Sequence, residues 1–131
     1  MLHPNQFQPN EAWIAFKVND APITTEADGD FNLIALMDAA SCFILCTRLV
    51  PASAAEPSKI EVKRMLKEGK AHKQQLPITL FLPSKMPANI LAAEFERLGI
   101  TVIRVPENQL ILFVGEARES FREHISGGGM Q

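Results

Sequence analysis

The sequence predicts an α/β (α+β) domain: a mixed sheet of five or six strands, opening as an antiparallel meander, with helices on both faces in the order βββαβαβα. Three observations carry this. Three strand-like apolar segments come first, at 12–18, 31–38 and 42–50. Helical and strand-like patterns then alternate to the end of the chain, which is how helices come to cover a sheet. The second and third segments are apolar at nearly every position, as strands buried on both sides are.

"AWIAFKV" alternates, with Ala12, Ile14, Phe16 and Val18 on one side and Trp13, Ala15 and Lys17 on the other. That is the period of a half-buried strand. "NDAPITTEADGD" is rich in turn formers and reads as a loop, its "EADGD" as a solvated turn lacking the further ligands of a calcium loop. "FNLIALMD" and "CFILCTRLV", joined by the tight "DAAS", read as a hairpin. Ser58 and Glu61 then form an S-x-x-E capping box, and Val62, Met65, Leu66 and Gly69 follow at helical spacing. "PITLFL" is a short buried strand. In "ANILAAEFERLGI", Ile90, Leu91, Phe95 and Leu98 line one helix face and Gly99 supplies the left-handed residue that ends it. "ITVIRV" is a further strand, and "QLILFV" (109–114) fits either a strand or the buried start of the last helix. That helix is "EARESFREHI", with Glu119 and Arg122 or Glu123 on one face.

A chain of 131 residues, 47% hydrophobic and 21% charged, is the size and composition of one globular domain. The expected division is an extended segment over 1–10, the domain over 11–125 and a loose tail over 126–131. The N-terminus lacks the pattern of a secretory signal, and no apolar run approaches the roughly 20 residues of a membrane span. A cytoplasmic protein with no membrane partner is expected. Cys42 and Cys46, spaced for one face of one strand, read as buried free thiols, since no further Cys or His completes a zinc set. His3, His72 and His124 stand in three separate contexts and suggest no shared site.

The net charge is −2, but six of the 13 Lys and Arg residues fall within 59–73, whereas Glu11, Asp20, Glu26, Asp28, Asp30 and Asp38 crowd the N-terminal third. Lys59, Lys63, Lys67 and Lys70 share a helix face opposite the apolar stripe and could meet a phosphate backbone, though no interleaved aromatics stand ready to stack on bases.

"IALMDAASCFIL" and "LPITLFLPSKMPANILAAEFERLGITVI" together resemble the ribonuclease H-like fold, specifically the retroviral-integrase and transposase core, over roughly residues 31–123. Such cores have a strand ending in an aspartate, a D-x-x-S turn and an apolar return strand, with Asp38 and Ser41 in the matching places. A helix, a strand reaching a second aspartate and a helix closing on "lGI" follow. The chain is also similar to a bacterial domain family of unknown function that shares the ending "lLe.lGI.V". The resemblance implies carboxylates at separate strand ends holding two metal ions for in-line displacement at phosphorus. Asp38 would be the first ligand and Glu116 or Glu119 the third, Glu119 lying 35 positions after Ser84. The second position holds Leu82, Pro83 and Ser84, which offer no carboxylate. The site is therefore expected to be degenerate, and Mg or Mn relevant only if Asp38 binds one. Asp38 also has a purely local explanation, since aspartate opens tight turns by accepting backbone hydrogen bonds.

The expected function is a non-catalytic domain that binds a protein partner or itself, the apolar "QLILFV" and "CFILC" suiting a homodimer. The alternative is a nucleic-acid binder using the basic helix 59–73, with or without residual phosphodiester chemistry at Asp38.

Overall fold

The computed structural model describes residues 1–128 apart from Asp28, with no side chains from residue 125 onward. Six strands, β1 (Ala12–Lys17), β2 (Ile23–Thr25), β3 (Gly29–Asp38), β4 (Ile44–Pro51), β5 (Thr79–Pro83) and β6 (Thr101–Val105), form one mixed sheet. Three helices join them: α1 (Lys59–Lys73), α2 (Asn89–Arg97) and α3 (Ile111–Gly128). β1 lies at the centre, antiparallel to β3 and parallel to β5. Beyond β5 comes β6, parallel to it. β4 pairs along the other edge of β3, and β2 continues the β1 edge of β3 through Ile23↔Phe31 and Thr25↔Gly29.

The alternation of β1 sorts side chains between two cores. Trp13 and Ala15 enter the one under α1 and α2, with Leu36, Met65, Leu80, Leu91 and Phe95. Ile14 and Phe16 enter the one under α3, with Met37, Phe81 and Phe113. The half-buried strand expected from the sequence is thus buried on both faces, and only Lys17 at its end is partly exposed. Alternation shows that two faces differ, and a small residue such as Ala15 reads as the wet face although it is where a helix packs closest.

The capping box of α1 forms as expected: the Ser58 hydroxyl accepts from the Glu61 N–H at 3.2 Å and Glu61 Oε1 accepts from the Ser58 N–H at 3.0 Å. Val62, Met65, Leu66 and Gly69 are the buried residues of α1. Gly99 ends α2 at φ +83°.

Other expectations are corrected. The loop "NDAPITTEADGD" contains β2, too short to show a period of its own. Ile90 and Leu98 are 37% and 44% exposed, because the buried set of α2 is Leu91, Ala92, Glu94 and Phe95. Cys42 is not on the strand with Cys46: it sits in the turn at φ +60° and packs against the α3 core, whereas Cys46 on β4 enters the other core. Residues 107–110 form a 3-10 turn and α3 starts at Ile111, so 109–114 runs from that turn into the start of the last helix and is not a strand. Residues 4–6 form another 3-10 turn, and the Phe7 ring packs edge-on against Phe81 at 5.6 Å, so the N-terminal segment is docked. The backbone of 126–128 continues α3; residues 129–131 of the expected tail lie outside the described residues.

Gly69 lets the backbone of α1 pack directly on the Trp13 ring. A Cβ there would meet the Trp13 ring at 2.8 Å, and Trp13 is fully buried. Gly69→Ala gains about 1 kcal/mol of helix propensity but overpacks a rigid core by about 1–3 kcal/mol. A net loss of about 1 kcal/mol in urea denaturation is expected; a gain would mean that the Trp13 ring is free to yield.

Candidate functional site

Asp38, the last residue of β3, is fully buried. Its Oδ1 accepts from the Asn10 N–H at 2.8 Å. Its Oδ2 accepts from the Ser41 N–H at 3.1 Å and the Ser41 hydroxyl at 2.7 Å, with Lys73 Nζ 3.7 Å away. The Asn10 side chain extends this network, accepting from Trp13 Nε1 at 2.7 Å and donating to the Gln75 carbonyl at 3.1 Å. One carboxylate thus joins the approach to β1, the turn after β3 and the last turn of α1. Asn10, at φ +64° and 7% exposed, had no pattern in the sequence to mark it; the Pro-Asn pair before the strand was its only signal.

Strand direction separates Asp38 from the place where a second ligand was expected. β3 runs antiparallel to β1, and β5 parallel to it, so the carboxyl ends of β3 and β5 lie at opposite ends of the sheet. Asp38 is level with Trp13, itself level with Leu80, whereas Ser84 follows four residues later, roughly 13 Å along the strand. The strands that end beside β5 are β6, whose last residue is Val105, and β1, whose last residue is Lys17.

A notch of about 380 Å³ opens there, lined among others by Lys17, Asn32, Pro83, Lys85, Glu107 and Arg118. Arg118 reaches it from α3: Nε and Nη2 donate to the Lys17 carbonyl at 3.1 and 2.9 Å, Nη1 pairs with Glu107, and the guanidinium lies 5.8 Å from the Phe16 ring centre. Sequence reasoning missed this place. Its signal was a lysine ending an otherwise apolar strand.

The α3 candidates diverge. Glu119 pairs with Arg122, which also holds Asp20. Glu116 is exposed and borders an apolar groove of about 570 Å³ between α3 and the β3–β4 hairpin, together with Ser41, Cys42 and His124. Burial raises the Cys42 thiol pKa, and the charges of Glu116 and Asp38 add to the effect. Burial likewise pushes Cys46 up to about 12. Lys59, Lys63, Lys67 and Lys70 are all exposed on α1, and Lys59 lies 4.0 Å from Glu94. The histidines stay apart: His3 caps the first turn, His72 packs on Phe43 at 5.6 Å, and His124 borders the groove.

Neither donor set suits the hard divalent cations that such a fold implies, which take several anionic oxygens. At Asp38 a metal would have to displace three hydrogen bonds and face the Lys73 ammonium; at the notch it would meet two lysines and an arginine. No cluster of three or more His, Cys, Asp or Glu side chains suited to a metal occurs among the described residues.

Asp38→Asn leaves one acceptor oxygen for three donors and an unpaired Lys73, and is expected to cost about 3 kcal/mol in chemical denaturation, the scale for breaking a buried charged network. An unchanged midpoint would mean that the network adds nothing to stability.

No protein-family description and no curated protein matches the chain. Solved structures do. The catalytic core domain of BIV integrase superposes with a TM-score of 0.56 at 12% identity, over 90% of this chain and 70% of that one. A simian T-cell lymphotropic virus intasome in complex with PP2A regulatory subunit B56 gamma gives 0.59 at 12% identity, over 92% of this chain and 43% of that one. The HTLV-2 integrase catalytic core domain in complex with magnesium, in a dimeric form, gives 0.52 at 10% identity, over 86% and 84%. The likeness is one of architecture: the chain has the ribonuclease H-like fold of the retroviral integrase catalytic core.

Proposed function

We propose that this chain is a ribonuclease H-like domain that does not cut phosphodiesters and works by binding, as a protein-interaction or self-association module. The observation that carries the reading is the excess of cations where β1 and β5 end together: Lys17, Lys85 and Arg118 line that notch, with Glu107 paired to Arg118. Two-metal chemistry needs anionic oxygens at that point. Association is supported by the sheet, in which, among the described residues, β4 and β6 each pair along one edge only. Ile103 on β6 and Ile111 and Leu112 in the first turn of α3 are 40%, 50% and 48% exposed. An open edge flanked by apolar side chains is the usual raw material of sheet-to-sheet pairing. A cytoplasmic setting agrees with two free thiols held in separate cores. No helix among the described residues is long and apolar enough to cross a membrane.

A second reading, nucleic-acid binding along α1, is favoured by one feature: Lys63, Lys67 and Lys70 are exposed and take part in no ion pair among the described residues. It requires affinity that falls steeply with salt and weakens in Lys63→Glu with Lys67→Glu. Absence of binding to a labelled duplex at low salt would end it.

Incubation of the protein with supercoiled and single-stranded DNA in manganese or magnesium is expected to leave both intact. Cleavage that follows the protein through purification and disappears in the Asp38→Asn variant would overturn the non-catalytic reading.

A further inference from the structure

The notch at the carboxyl ends of β1 and β5 has its own chemistry. Crevices outside the carboxyl ends of parallel strands are where open α/β sheets take their ligands, and this one holds unpartnered donors. Neither Lys17 nor Lys85 has an ion-pair partner among the described residues, although Lys17 is partly buried. Asn32 adds a third donor. Asn19 Oδ1 accepts from the Leu33 N–H at 2.7 Å, which fixes the Asn19 amide nitrogen as the donor to Asn32 Oδ1 at 3.0 Å. The Asn32 NH₂ is therefore turned away from Asn19 and has no protein partner among the described residues.

Arg118 has a different task. Each of its three nitrogens makes one contact, to the Lys17 carbonyl or to Glu107, which uses three of its five N–H donors, so it holds the end of β1 in place and neutralises Glu107 on the rim. We propose that this notch binds the phosphate group of a small organic phosphate, with Lys17, Lys85 and Asn32 as its donors. Two compact ammonium groups favour a compact, doubly charged anion, whereas the planar fork that matches a carboxylate is occupied elsewhere. Ile34, Pro83, Met86 and Pro87 form an apolar wall for the organic portion, and the volume of about 380 Å³ exceeds the need of phosphate alone. Binding of this kind requires no metal, so it can fail while the non-catalytic reading stands, and the reverse.

The test is thermal denaturation in EDTA with millimolar phenyl phosphate, with benzoate and phenol beside it. Phenyl phosphate is expected to raise the melting temperature, with little response to the other two. Lys85→Gln, on an exposed side chain, is expected to weaken the apparent affinity about tenfold, the scale of one charge-assisted hydrogen bond. Lys17→Gln with Lys85→Gln should abolish the response, and Lys67→Gln on α1 should leave it intact. An equal rise with benzoate, a rise that survives the double substitution, a rise that needs manganese, or no rise at all would each overturn the proposal.

Discussion

The structure depends on β1 being bonded along both edges and buried on both faces. Because it is antiparallel to β3 and parallel to β5, the chain must cross over the sheet to reach β5, and the segment that does so ends in α1. The crossover covers one face. The other face, with Ile14, Phe16 and Phe81, would lie bare without α3, so Leu110, Phe113 and Val114 are needed to close the second core. The same mixture of directions puts the carboxyl ends of β3 and β5 at opposite ends of the sheet. Two polar centres result: one built on Asp38, the other on Lys17.

The centres differ in how their charges are satisfied. At Asp38 every strong donor within reach is bound, and the carboxylate fastens three segments that are distant in sequence. A buried charge held by backbone N–H groups, a hydroxyl and a lysine is costly to disturb and has little capacity left for a ligand. At the Lys17 end the balance is reversed. Arg118 is tied to the Lys17 carbonyl and to Glu107, whereas Lys17, Lys85 and Asn32 keep donors with no partner among the described residues. Of the two, only the Lys17 end is equipped to recognise something outside the protein, and what it is equipped for is negative charge.

Local chemistry was legible in the sequence wherever one short segment determined the outcome. Ser58 with Glu61 announced the start of α1, Gly99 the end of α2, and Asp38 with Ser41 the turn between β3 and β4. The tertiary outcomes were not legible. Asp38 ends an apolar strand as a metal ligand of this fold would, and nothing local to it says that its strand runs against β5. Glu116 and Glu119 were the candidates for a third ligand, Glu119 on its spacing from Ser84, yet Glu116 borders a groove and Glu119 joins a surface ion pair with Arg122. Cys42 and Cys46 looked like neighbours on one face until the turn took Cys42 into a left-handed conformation. Lys17 and Arg118, 101 positions apart, could not be associated without the sheet that brings them together.

The central proposal is that no metal is held at either polar centre, the shared end of β1 and β5 being lined by Lys17, Lys85 and Arg118 and the Asp38 carboxylate being taken up by the fold. The most direct measurement is paramagnetic broadening of backbone amide resonances by substoichiometric manganese. Uniform, weak broadening confined to exposed acidic surface is the result this account requires. Selective loss of the resonances of residues 38–42, or of 17 with 84–85, would place a metal at one of the two centres and contradict it.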